Sequence, residues 1–209
     1  MMLYRLIFRP IKKRKAVKMS EVSNVRAVDM TANPAPLGLC GFGMTTILLN
    51  LHNAGLFELD STIMTMGVFY GGLAQFIVGI MEWKKNNTFG TVAFCSYGMF
   101  WLTLVGIWTL PTLGVVGQPT ATSMACFLGL WGLFTLFLFV GTFKLSRALQ
   151  FVFGTLTLLF FLLAWSKANG NHDLHTLAGY VGVVCGGAAF YTAMAQVLNE
   201  LYKKKLLPL

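Results

Sequence analysis

The chain has 209 residues, 56% of them hydrophobic and 11% charged, with 18 phenylalanines and a formal charge of +9. That leaves too little polar surface to cover a soluble globule, which excludes the ordinary soluble enzymes and binding modules. A bilayer is the expected solvent, and the positive charge fits membrane topology and not affinity for nucleic acid, since the basic residues hug span ends.

The chain opens with "MMLYRLIFRPIKKRKAVKMSEVSNVRAVDM", which is basic but lacks a long apolar core before a small-residue cleavage site, so it does not read as a signal peptide. Met1, Met19 and Met30 are all candidate starts. This tail, 1–32, is expected to be flexible and to lie against anionic lipid head groups. It is followed by a membrane domain, 33–203, and a short C-terminal tail, 204–209.

A spanning helix needs roughly 20 mostly apolar residues. Six such runs follow one another, at 36–53, 61–81, 90–110, 123–143, 148–166 and 174–201. The expected fold is therefore an all-α integral membrane protein with six transmembrane helices.

The first run, "NPAPLGLCGFGMTTILLNLHN", begins with prolines that start the helix: Asn33 suits the N-cap and Pro34 the first helical position. Projection at 100° per residue gathers Cys40, Met44, Ile47 and Leu51 on an apolar arc suited to lipid. The remaining arc collects Gly38, Gly41, Phe42, Thr45, Thr46, Leu49, Asn50 and Asn53. A small, polar face of this kind suits close helix packing beside a polar path.

Asp60 is placed to cap the second helix, which then carries Gly71, Gln75 and Gly79 on one face and a GxxxG spacing from Gly67 to Gly71. Ser96, Tyr97 and Gly98 sit mid-span in the third, Gly154 and Thr155 in the fifth, and Gly179, Gly182, Gly186, Gly187 and Tyr191 in the sixth. Any single glycine is explained by close packing. Polar groups in several spans at once, each costing about 2 to 7 kcal/mol if left unpaired in hydrocarbon, point jointly to a transport path.

The segments "NPAPLGL", "GFGMTTILLNLHN", "FYGG", "NTFG", "SYG.FWL" and "LGLWG.FTLF" resemble the acetate uptake transporter family, with a likeness running over about 32–208. The resemblance implies a bacterial inner-membrane protein of six helices per protomer, assembled as a homohexamer with one path per protomer. It implies acetate and related short carboxylates, succinate among them, as substrates, with proton coupling. It also implies that Phe42, Tyr97 and Leu156 narrow the path. Thr45, Thr46, Asn50, Gln75 and Tyr97 would offer donors to a carboxylate, and Asn33 either an anion contact or a helix cap alone. The basic tail departs from the compact bacterial pattern.

Among ionisable residues, Glu82 and Glu200 fall at helix ends beside lysines, suiting solvated ends first and a proton relay second. "HDLH", with His172, Asp173 and His175, reads as a wet outer loop, not a metal site, and His52 could act as a pH sensor. The four cysteines have no ligand spacing and read as packing residues. Neither a nucleophile and base set nor a cofactor motif is visible, so an enzyme is not expected. A passive channel for small carboxylates or small neutral solutes, without proton coupling, stands as the alternative, since no carboxylate lies mid-span.

Fifteen of the sixteen Lys and Arg residues fall in the first tail, the second loop, the fourth loop and the C-terminus, leaving Lys167 alone on the other side. By this asymmetry both termini are cytoplasmic. A reporter active only outside the cytoplasm, fused after Leu209, should therefore be silent, and strong activity there would refute the orientation.

Overall fold

The structure, a computed structural model, describes residues 31–209. The basic tail and its expected flexibility lie outside the described residues. Six helices follow: α1 (Ala35–Asn53), α2 (Ser61–Lys84), α3 (Thr88–Thr112), α4 (Ala121–Thr142), α5 (Arg147–Asn169) and α6 (His172–Tyr202), each long and apolar enough to cross a membrane. Among the described residues there is no strand.

Local chemistry accounts for the helix starts. Side-chain oxygens of Asp60, Asn87, Thr120, Ser146 and Asn171 accept from first-turn amides of α2 to α6, each cap being worth about 1 kcal/mol. At α1 the expected register moves by one residue. Pro34 occupies the cap position, and Asn33 Oδ1 accepts from the Ala35 amide at 3.1 Å. Gly170, left-handed at φ +63°, closes α5 and lets the chain turn directly into α6. Consequently "HDLH" forms the first turn of α6 and is not a loop, because Asn171 starts the helix just before it.

The second helix is not uniform. Between Ser61–Met66 and Gln75–Lys84 it widens into a π-helix over Gly67–Ala74, a feature frequent at functional sites. The same turn accounts for a departure on α1. Cys40, expected toward lipid with Met44, is buried, and the Tyr70 side chain of the widened segment reaches its thiol.

The helices pair most closely as α1 with α6, α4 with α5, α5 with α6 and α2 with α3. Two kinds of interface hold them. Where α1 meets α6, backbones touch: a Cβ on Gly43 would lie 2.7 Å from the Gly186 carbonyl, and one on Gly186 2.7 Å from the Gly43 carbonyl. Where α3 meets α4 and α5, large rings fill the gap instead, with Phe100 stacked on Phe127 at 5.7 Å and edge-on to Trp131 at 5.1 Å and Phe160 at 5.2 Å. Outward, α4 presents Leu130, Leu133, Phe137 and Val140 as one apolar stripe, with Phe137 72% exposed, a surface that only lipid or another apolar partner can cover.

At the C-terminus the chain folds back. Lys203 takes a left-handed conformation, and the Asn199 amide accepts from the Leu206 and Leu207 amides and donates to the Leu207 carbonyl.

Because a Cβ on Gly186 would meet two backbone atoms that cannot move aside, the Gly43 carbonyl and the Ile47 amide, Gly186→Ala should destabilise the purified protein by about 1 to 3 kcal/mol. Gly187→Ala, at a position with open space around it, should change stability by less than about 0.5 kcal/mol. Thermal unfolding in detergent compares the two.

Candidate functional site

Two cavities enter the helix bundle from opposite ends. The lower one, on the side of Asn33 and the α6 C-terminus, has a volume of about 250 Å³ and runs from Asn33, Glu82, Asn87 and Gln196 at its wide end to Phe42, Tyr97, Phe153 and Leu156 at its floor. The upper one, about 380 Å³, is lined by His52, Asn53, Lys167 and His175 and ends on Leu49, Phe100, Leu104 and Leu128. Between Phe42 and Leu49 α1 rises about 10 Å, and between Tyr97 and Phe100 α3 rises about 5 Å. The barrier separating the cavities is therefore thin and apolar.

Helix register brings the three expected narrowing residues to one level. Phe42, Tyr97 and Leu156 each come from a different helix, all are buried, and all line the floor of the lower cavity. The rings of Phe42 and Tyr97 are 5.9 Å apart. Tyr97 is further fenced by Trp131, Phe134 and Phe153 at 5.7 to 6.2 Å, so its position is fixed by packing on several sides.

The Tyr97 hydroxyl has another use than the one expected from sequence. It lies 2.9 Å from Thr135 Oγ1. Thr135 spends its own proton on the Trp131 carbonyl at 2.7 Å, so Tyr97 is the donor and Thr135 the acceptor. The hydroxyl is thereby turned into the α3–α4 contact, and the residue offers the cavity its ring.

The polar residues divide into two groups. Asn33 and Gln75 line the lower cavity; Asn33 joins α1 to α6 by donating from Nδ2 to Gln196 Oε1 at 3.1 Å. Gln75 is buried, and its Oε1 has no partner. Thr45, Thr46 and Asn50 stand in the walls of neither cavity. Thr45 is pressed toward Gly71 of α2, and Asn50 fills the space left by the missing side chain of Gly182 on α6. The Asn50 amide bonds back to the Thr46 carbonyl at 2.9 Å and accepts from Asn53 Nδ2 at 3.0 Å. The polar face of α1 thus meets glycine faces of its neighbours more than it meets open space. The hydroxyls of Thr45 and Thr46 remain without partners.

Three further residues of the lower cavity, Glu82, Asn87 and Gln196, take their places only in the fold. Glu82, expected at a solvated helix end, is 3% exposed. Its Oε2 accepts from Asn87 Nδ2 at 2.7 Å, while Oε1 is buried with no partner. Asn87 simultaneously caps α3 by accepting from the Gly90 amide at 3.0 Å. The available signal was "NTFG", whose Asn is a helix cap by position. Gln196 had no signal beyond being an amide inside an apolar run.

At the upper end, Ser166 donates to the Leu163 carbonyl at 2.9 Å and accepts from His175 Nδ1 at 3.3 Å, and His52 Nδ1 donates to the Phe57 carbonyl at 2.8 Å. These assignments follow from which partners can only accept. No three His, Cys, Asp or Glu side chains among the described residues converge as metal ligands.

Comparison with known proteins bears on what such a path carries. The model of the GPR1/FUN34/yaaH family matches residues 18–204. The succinate-acetate/proton symporter SatP of Escherichia coli (strain K12) is 57% identical over 178 residues, covering 85% of this chain and 95% of that protein. Ammonia transport outward protein 2 of Saccharomyces cerevisiae is 35% identical over 181 residues, covering 83% of this chain and 64% of its own length. A solved structure described as the bacterial acetate channel SatP superposes with a TM-score of 0.85 at 57% identity, covering 86% of this chain and 99% of that one.

Since the Tyr97 hydroxyl serves the α3–α4 contact, Tyr97→Phe should cost about 0.5 to 1.5 kcal/mol of stability. It should leave the relative passage of differently sized substrates unchanged. Unfolding in detergent, paired with flux in liposomes, reads both.

Proposed function

Because the chain belongs to the GPR1/FUN34/yaaH family, we propose that it carries acetate and related short carboxylates, succinate among them, across a bacterial inner membrane. The observation that carries this reading is the pair of facing cavities separated by an apolar floor, in a chain 57% identical over nearly its whole helical part to a succinate-acetate/proton symporter. By the charge asymmetry both termini are cytoplasmic, and the lower cavity then opens to the cytoplasm. The protomer works within a homohexamer, each protomer keeping its own path, with apolar stripes such as that of α4 covered by lipid or by neighbouring copies.

Phe42, Tyr97 and Leu156 form the selective barrier. A hydrated carboxylate crosses them only by shedding water, which is costly for a charge and cheap for the neutral acid. Acetic acid ionises near the ~4.3 of a glutamate side chain, so the fraction able to cross uncharged grows as the pH falls. Transport is therefore coupled to protons. Asn33 and Gln75 orient the carboxyl group in the lower cavity. Passive conduction without proton coupling is the second reading. It is favoured by the lack of any charged side chain at the floor of the lower cavity and by the superposed structure's description as a channel.

Cells lacking other monocarboxylate carriers should take up labelled acetate faster with this protein than with empty vector, and more so at mildly acidic pH. Equal uptake would overturn the reading. Phe42→Ala and Leu156→Ala should each raise succinate uptake relative to acetate, measured per assembled protein. An unchanged ratio in both would remove these residues from the barrier.

A further inference from the structure

We propose that Glu82 is the proton-binding site of the lower cavity, and that it shares a single proton with a carboxylate bound beside it. The inference rests on the carboxylate-transport reading above and adds to it the residue that holds the proton.

Glu82 is a carboxyl group almost fully removed from solvent, yet it lines a cavity of about 250 Å³. One oxygen is occupied: Oε2 accepts from Asn87 Nδ2 at 2.7 Å. The other, Oε1, has no partner. A buried carboxylate oxygen without a donor is costly to maintain, and a protonated one with an acceptor is not. The free oxygen is thus suited to hold a proton or to accept one from a neighbouring acid.

Little else in the cavity competes for that role. Of the elements around it, α1 contributes Ala35, Leu39 and Phe42, with Asn33 just before it, and α6 contributes Gln196; α3 contains no charged residue. Leu145, in the turn before α5, and Leu149, in its first turn, reach the wall, with Lys144 and Arg147 nearby in the chain, and Lys84 and Lys85 follow Glu82 at the end of its own helix. The other titratable group lining the cavity, Tyr97, has its hydroxyl committed to Thr135. Gly90, against which Glu82 lies, and Tyr97 are seven positions apart on α3, a rise of about 10 Å. Glu82 accordingly stands between the barrier and the mouth.

Two carboxylates in one poorly solvated space cannot both be ionised. A substrate that crosses the barrier as the neutral acid meets the Glu82 carboxylate and transfers its proton to Oε1. The substrate's O–H bond breaks, the Glu82 O–H bond forms, and the products are a substrate anion beside a neutral Glu82. The anion leaves through the mouth without facing a like charge, and Glu82 then returns its proton to water. In the opposite direction an anion can enter only when Glu82 is protonated.

The test uses purified full-length protein in detergent, with acetate added at a series of pH values. Saturation-transfer NMR of the acetate methyl group detects binding, and an indicator dye in weak buffer detects proton uptake. Wild type should take up as much as one proton per acetate bound, and its affinity should fall about tenfold per pH unit. Glu82→Gln, whose amide oxygen can still accept from Asn87, should bind acetate with no proton uptake and with affinity flat in pH. Infrared difference spectra of wild type with ¹³C-labelled acetate provide a check that needs no variant. They should show a new protonated-carboxyl band, from the protein or from the labelled ligand. Acetate binding by wild type with neither proton uptake nor that band, or an unchanged proton uptake in Glu82→Gln, would overturn the role of Glu82 alone. An absence of any acetate binding or flux in wild type would overturn the transport reading and this inference with it.

Discussion

The close approach of α1 to its neighbours is the constraint on which the rest of the architecture depends. Helices in a bilayer gain little from hydrophobic contact, because lipid is as apolar as they are, so association relies on packing at short range. Gly43 on Gly186 lets two backbones touch, and Gly41 admits the Tyr70 carbonyl of α2. With α1 held from both sides in this way, Phe42 stands at the floor of the lower cavity beside Tyr97.

Around that fixed helix the bundle uses its side chains in two ways. Between α3, α4 and α5 the gap is bridged by stacked and edge-on rings, which leave wider spaces than glycine contacts do and border both cavities. Elsewhere hydroxyl groups are satisfied within their own helices: Thr135, Thr157 and Thr192 each donate to the carbonyl four residues earlier. This is the usual way for a helix to carry a hydroxyl without a water or a partner helix.

Against that background the unsatisfied atoms are informative. Thr45 Oγ1, Thr46 Oγ1, Gln75 Oε1, Glu82 Oε1 and Trp101 Nε1 are buried without a partner. Two of the five, on Gln75 and Glu82, belong to residues whose side chains line the lower cavity. Polar groups kept unpaired in an apolar bundle cost stability, and their retention in a cavity wall is consistent with a site that is filled during transport. The widened turn of α2, which ends just before Gln75, lies in the same stretch.

Much was legible in the residues themselves. The six spans, Asp60 as a cap, the uneven distribution of lysine and arginine, and the glycine content follow from the sequence, since hydrogen bonding along a helix, capping and hydrophobic length involve near neighbours only. The family motifs also carried the expectation that Phe42, Tyr97 and Leu156 come together, and these three do line one floor. Other features needed the fold. Projection of α1 gives the direction of Thr45, Thr46 and Asn50 but cannot say that Gly71 and Gly182, far away in the chain, cover that face. Nor could sequence reveal that Tyr97 gives its hydroxyl to Thr135, or that Glu82, at a helix end beside lysines, is buried in a cavity wall with one carboxyl oxygen unpartnered. The physical reason is common to all three. A single helix fixes the angle at which a side chain leaves the axis, whereas its partner, water or protein, is fixed by which other helices come close enough to occupy the space.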